Sequence, residues 1–227
     1  MIQKDLYTYA ITNWSMSPVA ELSEDKRTHM PLVKSEAQMY SFDDICLGLG
    51  LKQKLPASAD GLDVTQRSVR LVEFKSGFRN KITRDNFNEE EARCSKTDEI
   101  CEDYWGIFAK KRSLEIKELI DSIHIKALES YLTLEKQILP RCQDAEEPVS
   151  VTFTAVIDAD PVDAMEDVLS GLAKRSKRNT SNSLSRVKQA LSRLAGISDT
   201  DGNIYCYDRI EVLSVQEYEN QLARQNR

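Results

Sequence analysis

The chain has 227 residues and a net charge of −6, with 41% hydrophobic and 30% charged residues. That balance excludes a disordered or fibrous polypeptide, and it suffices for one large or two small units that bury a core without disulfides or metals. No apolar run approaches the length that crosses a bilayer, and no apolar signal core follows the early acid Asp5, so a cytoplasmic location with no membrane partner is expected.

Cys46, Cys94, Cys101, Cys142 and Cys206 form no CxxC pair, and their number is odd. They read as reduced structural thiols. Histidine is limited to His29 and His124, which argues against a zinc hydrolase or a histidine-based triad. Neither a Walker loop nor a dinucleotide glycine pattern is present, and no helix-turn-helix, zinc-finger or RNA-binding signature is visible.

Residues 1–35 are mixed in character and read as an N-terminal arm. Ser41-Phe42-Asp43-Asp44 has the look of a capped helix start with early acids, and Gly48 and Gly50 keep that helix short. Two alternating runs follow, Ala59 to Thr65 and Val69 to Lys75. They predict a β-hairpin closed around Gln66, Arg67 and Ser68. From 98 to 139 the pattern is helical, with Ile116, Leu119, Ile120, Ile123, Ala127, Tyr131, Leu134 and Ile138 on one stripe and Pro140 as the stop. Gly106 or Ser113 is a possible division into two helices. Residues 141–148 read as a linker and 149–157 as a buried β-branched strand. A helix to about Leu172, a second carrying Leu184, Val187, Leu191 and Leu194, a strand over 204–213 and a capping box Ser214-Val215-Gln216-Glu217 complete the chain. The order implies a single α/β domain over 1–227, with a mixed central sheet flanked by helices. Within it, 36–78 is the hairpin region, 98–139 a long helical insertion and 149–227 a C-terminal α/β part.

The segment Leu71-Val72-Glu73-Phe74-Lys75 carries the chemistry. An ExK tripeptide alone is common, but here apolar residues flank it, and charges ending an otherwise buried strand must face a pocket, a partner or a metal. Val69, Leu71, Glu73 and Lys75 share one strand face, and Asp60, Leu62 and Val64 share one face of the first strand. Matching apolar faces puts Asp60 beside Glu73 and Lys75. A two-residue turn at Gln66-Arg67 sets Asp60 opposite Glu73, whereas a one-residue slip exchanges it for Asp63, the alternative acid. Two carboxylates and a lysine at a strand end suit phosphodiester hydrolysis with Mg²⁺ or Mn²⁺, to which Phe74 can add its backbone carbonyl.

This constellation resembles the active-site motif of the PD-(D/E)xK nuclease superfamily over about 36–77. The resemblance implies a restriction endonuclease-like fold, with Asp60 as motif aspartate, Glu73 as second acid and Lys75 as motif lysine. Asp60 follows Ala59 rather than the motif's proline. Members often carry a glutamate on the helix before the hairpin; Glu36 is the candidate metal ligand for that role, with Glu21 and Asp44 as rivals. The implied activity is a DNA endonuclease in defence, restriction or repair.

Residues 168–198 hold no acid and seven basic residues, Lys174, Arg175, Lys177, Arg178, Arg186, Lys188 and Arg193. They make a positive face suited to phosphates, and Arg79, Lys81 and Arg84 are further candidates for the same cleft. The competing expectation is a non-catalytic interaction protein that uses the helical stretch 98–139 for a partner or for self-association.

Overall fold

A computed structural model describes residues 1–26, 28–50, 57–76, 102–158, 183–195 and 206–225. The first half contains β1 (Ile2–Lys4), α1 (Leu6–Asn13), β2 (Met16–Pro18), α2 (Val19–Leu22), β3 (Gln38–Ser41), α3 (Phe42–Gly48), β4 (Gly61–Val64) and β5 (Ser68–Lys75). The second contains α4 (Glu102–Thr133), β6 (Asp144–Ile157), α5 (Ser183–Leu191), β7 (Arg209–Ser214) and α6 (Val215–Gln225).

The described strands make one mixed seven-stranded sheet. From β2 the order runs β3, β4, β5, β6, and the far side of β6 is shared by β1 and β7. β5, β6 and β7 are parallel, and the remaining pairs are antiparallel. Strands buried on both faces need continuous apolar runs, which is why β6 reads as an unbroken β-branched segment. β6 also begins earlier than the β-branched run, at Asp144, inside the expected linker. Its Pro148 is tolerated because β5 pairing starts only at Ser150, and the β1 ladder is irregular across this stretch.

Helices cover both faces. Leu6 and Ala10 of α1, Phe42 and Ile45 of α3, Ile116, Ile123 and Ala127 of α4 and Val187 and Leu191 of α5 join Leu62, Val69, Leu71 and Phe153 in the larger core. Val19 of α2 and Tyr218 and Leu222 of α6 close over Val72, Phe74 and Val156 on the opposite face. The capping box at Ser214 forms as expected: Glu217 Oε2 accepts from Ser214 N at 2.7 Å, and Ser214 Oγ accepts from Glu217 N at 3.3 Å.

Three expectations need correction. Residues 1–35 are not an arm, because β1 extends the sheet at β6 and β2 extends it at β3. The helical stretch is not an insertion either. Parallel β5 and β6 require a crossover, and α4 is the helix of that crossover, its apolar stripe packed into the main core. α4 is also one helix rather than two. It ends in a π-turn at Leu134–Ile138 and a 3₁₀ turn at Leu139–Arg141 that takes up Pro140. The helix expected up to Leu172 and the start of the strand expected from 204 lie outside the described residues.

Candidate active site at the end of the motif strand

Thr65 N donates to Ser68 O at 2.8 Å across the two-residue turn Gln66-Arg67, and this fixes the hairpin register. Gly61 pairs with Val72, Leu62 with Leu71, Asp63 with Arg70 and Val64 with Val69. One step before Gly61, Asp60 lies in a bend at the head of β4, beside the end of β5 that carries Glu73. Its backbone N–H still donates to Val72 O at 3.0 Å, and its carbonyl accepts from Phe42 N at 3.1 Å. Asp60 is therefore held from two sides, by β5 and by the start of α3. A Cβ on neighbouring Gly61 would overlap the Met39 sulfur, so glycine leaves room for the Met39 side chain over β4.

Asp60 Oδ2 accepts from Phe74 N at 2.7 Å, which leaves Oδ1 to face the α4 side of the cleft. Glu73 is fully buried, the next inward position after Val69 and Leu71, where the apolar floor of the core stops. Lys75 Nζ lies 2.9 Å from Glu73 Oε1 and donates to Ser122 Oγ of α4 at 3.2 Å. The contact to Glu73 is an ion pair without hydrogen-bond alignment, so Oε1 is a buried acceptor that receives no hydrogen bond. Asp60, Glu73 and Lys75 thus converge as the face matching expects.

The structure adds a residue that the strand pattern does not contain. Lys126 of α4 places Nζ 2.8 Å from Glu73 Oε2 and 3.3 Å from Asp60 Oδ1, bridging the two carboxylates. Burial and the Asp60 charge push the Glu73 carboxyl up to about 7, against the pull of Lys126 and Lys75. Burial works to lower the Lys126 ammonium, but Glu73 and Asp60 outweigh it and hold it above its ordinary value.

A polar line along α4 makes this docking possible. Ser122, Lys126 and Ser130 recur every four residues beside the apolar stripe. Ser130 is buried, and its Oγ accepts from Ala59 N at 2.8 Å; Tyr207 Oη donates to the Ala127 carbonyl at 2.6 Å. Ser130→Ala should leave the Ala59 N–H unsatisfied just before Asp60 and cost about 1–3 kcal/mol, read as a lower urea midpoint at unchanged slope.

The site opens into a cleft of about 610 Å³ at the carboxyl end of β5, the side on which open α/β sheets bind ligands. Glu21, Glu24, Asp25, Asp43 and Asp44 join Asp60 and Glu73 around it, against Lys26, Lys75 and Lys126. Of the helix acids weighed from sequence, Glu21 on α2 and Asp44 on α3 border the cleft. Glu36 does not: it is exposed in the extended approach to β3, where its carbonyl accepts from Gln38 Nε2 at 3.1 Å, and no helix forms there to aim it inward. Asp63 is also excluded from the site. The register turns it to the opposite face beside Arg70, where burial holds its carboxyl above the usual range despite that guanidinium. The Phe74 ring packs edge-on against Tyr218 at 5.8 Å on that face, and Phe74 also borders the cleft.

Lys188 is exposed on α5 and does not border the cleft. Lys174, Arg175, Lys177, Arg178, Arg79, Lys81 and Arg84 lie outside the described residues, as does the side chain of Arg186.

Among the described residues, no three acid, histidine or cysteine side chains form a ready metal cage. The donor set is instead two neighbouring carboxylates, Asp60 and Glu73, joined through Lys126. That suits a hard ion that keeps most of its waters and takes one or two carboxylates from the protein. Among the described residues no helix is long and apolar enough to cross a membrane. Comparison with protein-family models, with curated proteins and with solved structures gave no match for this chain.

Proposed function

We propose that this chain is a metal-dependent nuclease with a restriction endonuclease-like fold, a DNA endonuclease of defence, restriction or repair. The observation that carries the reading is the convergence of Asp60 and Glu73, bridged by one ammonium, with Lys75 two residues on, at the mouth of an acidic cleft. Among the described residues seven acids line this cleft, an excess that repels a phosphodiester unless cations offset it, which favours a metal-loaded site over direct anion binding.

Asp60 and Glu73 would hold Mg²⁺ or Mn²⁺, with the Phe74 carbonyl as a third donor. Such an ion polarises the scissile phosphoryl oxygen and lowers the pKa of a bound water. The chain's own groups do the rest. The Phe74 N–H fixes one oxygen of Asp60 and so orients the other. Lys75, steadied by Ser122, presents an ammonium that positions the attacking water and offsets charge developing on the phosphate. Lys26 at the rim and the basic residues between 174 and 193 are the candidates for gripping the DNA backbone.

Supercoiled and linear DNA incubated with the protein should be cut in Mg²⁺ or Mn²⁺ and left intact in EDTA. Asp60→Ala should lower the rate at least about 1000-fold. Absence of cutting in either metal, or an Asp60→Ala protein as active as the parent, overturns the reading.

One observation favours the competing interaction protein. Ile125, Leu128 and Leu132 form an exposed apolar stripe on α4. Self-association through it would appear in light scattering as a dimer that Leu128→Lys dissolves.

A further inference from the structure

The slot between Asp60 and Glu73 already has a cation in it. Lys126 Nζ touches one oxygen of each carboxylate, at 3.3 Å and 2.8 Å. The same two side chains are the protein ligands of the metal in the reading above, on which this inference rests. A divalent ion needs carboxylate oxygens at about 2.0–2.1 Å in a defined octahedron. An ammonium that bridges the same oxygens would stand within a few ångströms of it, and like charges at that separation in a partly buried site repel strongly. The two occupants therefore exclude each other.

We propose that Lys126 is the resident cation of this slot, holding Asp60 and Glu73 together in the metal-free protein and swinging out when a divalent ion enters. Three features fit an occupant that can leave. Lys126 sits at the cleft wall, with 23% of its side chain exposed, rather than sealed in the core. Its charge is carried on a flexible four-carbon stem that can redirect without moving α4. Asp43 and Asp44 border the same cleft and offer carboxylates to the displaced ammonium. Lys75 is placed differently: it contacts only Glu73 of the pair, through the other oxygen, and is tied back to Ser122. It can stay while Lys126 leaves. The consequence is that metal affinity is set by competition with an internal charge, so the protein keeps a neutralised, ordered site at low metal and loads only when the ion outcompetes the lysine.

Two measurements test this. In calorimetric titration with Mn²⁺, Lys126→Met should bind at least tenfold tighter than the parent; equal or weaker binding overturns the proposal. Because Lys126→Met leaves two carboxylates without their bridge and can unfold, the second measurement uses the unaltered chain. Lysines are acetylated with an isotope-coded reagent with and without saturating Mg²⁺, and peptides are quantified by mass spectrometry. Lys126 labelling should rise severalfold in Mg²⁺, while exposed Lys136 stays constant. Unchanged or reduced Lys126 labelling means that the lysine is a permanent counter-ion, and the proposal fails. The outcome is separable from the nuclease assay. Displacement of Lys126 by metal without DNA cutting upholds this inference and removes the enzymatic reading. DNA cutting with Lys126 unmoved does the reverse.

Discussion

Glu73→Gln should yield a protein that is more stable than the parent at neutral pH and, on the nuclease reading proposed above, cuts no DNA. Glu73 is fully buried, and burial with the Asp60 charge raises its carboxyl from an ordinary 4.5 to about 7. Between those values the folded chain keeps a proton that the unfolded chain has released. Stability from this group is therefore complete below about pH 4.5, declines as pH rises, and is lost above about 7. Glutamine mimics the protonated form and removes the decline. A shift of this size corresponds to about 3 kcal/mol at pH 8, since each unit is about 1.4 kcal/mol. Urea unfolding from pH 4.5 to 8 reads it directly: the parent should weaken with rising pH relative to the variant. A variant less stable than the parent at pH 8 would mean that Lys126 and Lys75 depend on that charge more than its burial costs. Cutting should fall at least about 1000-fold, because the amide gives a metal no charge. Stability gained where activity is lost is the pattern of a site that stores electrostatic strain for its chemistry.

The hairpin was legible because its information is local. Alternation assigns Val69, Leu71, Glu73 and Lys75 to one face, and the two-residue turn at Gln66-Arg67 sets the register, so Asp60 near Glu73 follows without knowledge of the remaining fold. The capping box at Ser214 and the apolar stripe of α4 were readable for the same reason. The sheet order was not. That β1 and β7 share one side of β6 depends on contacts across most of the chain, such as Ile2 with Val149, and nothing near Ile2 encodes them. The helix at 102–133 read as an insertion because periodicity gives a helix's face but not its partner. Only the parallel pairing of β5 with β6 makes it a crossover.

Within the site, the strand residues were visible and the helix residues were not. Lys126 interrupts no pattern. It neighbours Leu119 and Ile123 on the wheel and looks like an ordinary flanking lysine, whereas its partners lie 53 and 66 residues away. The one signal was the four-residue recurrence of Ser122, Lys126 and Ser130 beside the apolar stripe, a polar line where a solvated face should be less ordered. Glu36 failed for the opposite reason. Its position before the hairpin was right in sequence, but the backbone there is extended, and Glu21 on α2 and Asp44 on α3 reach the cleft instead.

Two ammonium groups at one carboxylate raise the question of which performs the chemistry, and geometry separates them. Lys126 bridges Asp60 and Glu73 in the slot itself, so in a loaded site it has no place beside the reacting water. Lys75 lies outside the slot, 21% exposed to the cleft, anchored by Ser122 and held in place as the last residue of β5. Lys75→Ala should therefore lower kcat for DNA cutting by about 100- to 1000-fold, the range of one lost charge-stabilising donor. KM should change little, because the lost contact acts on charge that develops in the transition state rather than on bound DNA. Mn²⁺ affinity should hold or rise slightly, since removing a cation 2.9 Å from Glu73 Oε1 relieves repulsion on an incoming ion. Lys75→Arg keeps the charge but cannot reproduce the single-point geometry, and should recover only part of the rate. Loss of metal binding together with kcat would place Lys75 in ordering Glu73 rather than in the chemical step. An unaltered kcat would move the catalytic ammonium to another residue of the cleft, Lys26 being the remaining lysine that borders it among the described residues.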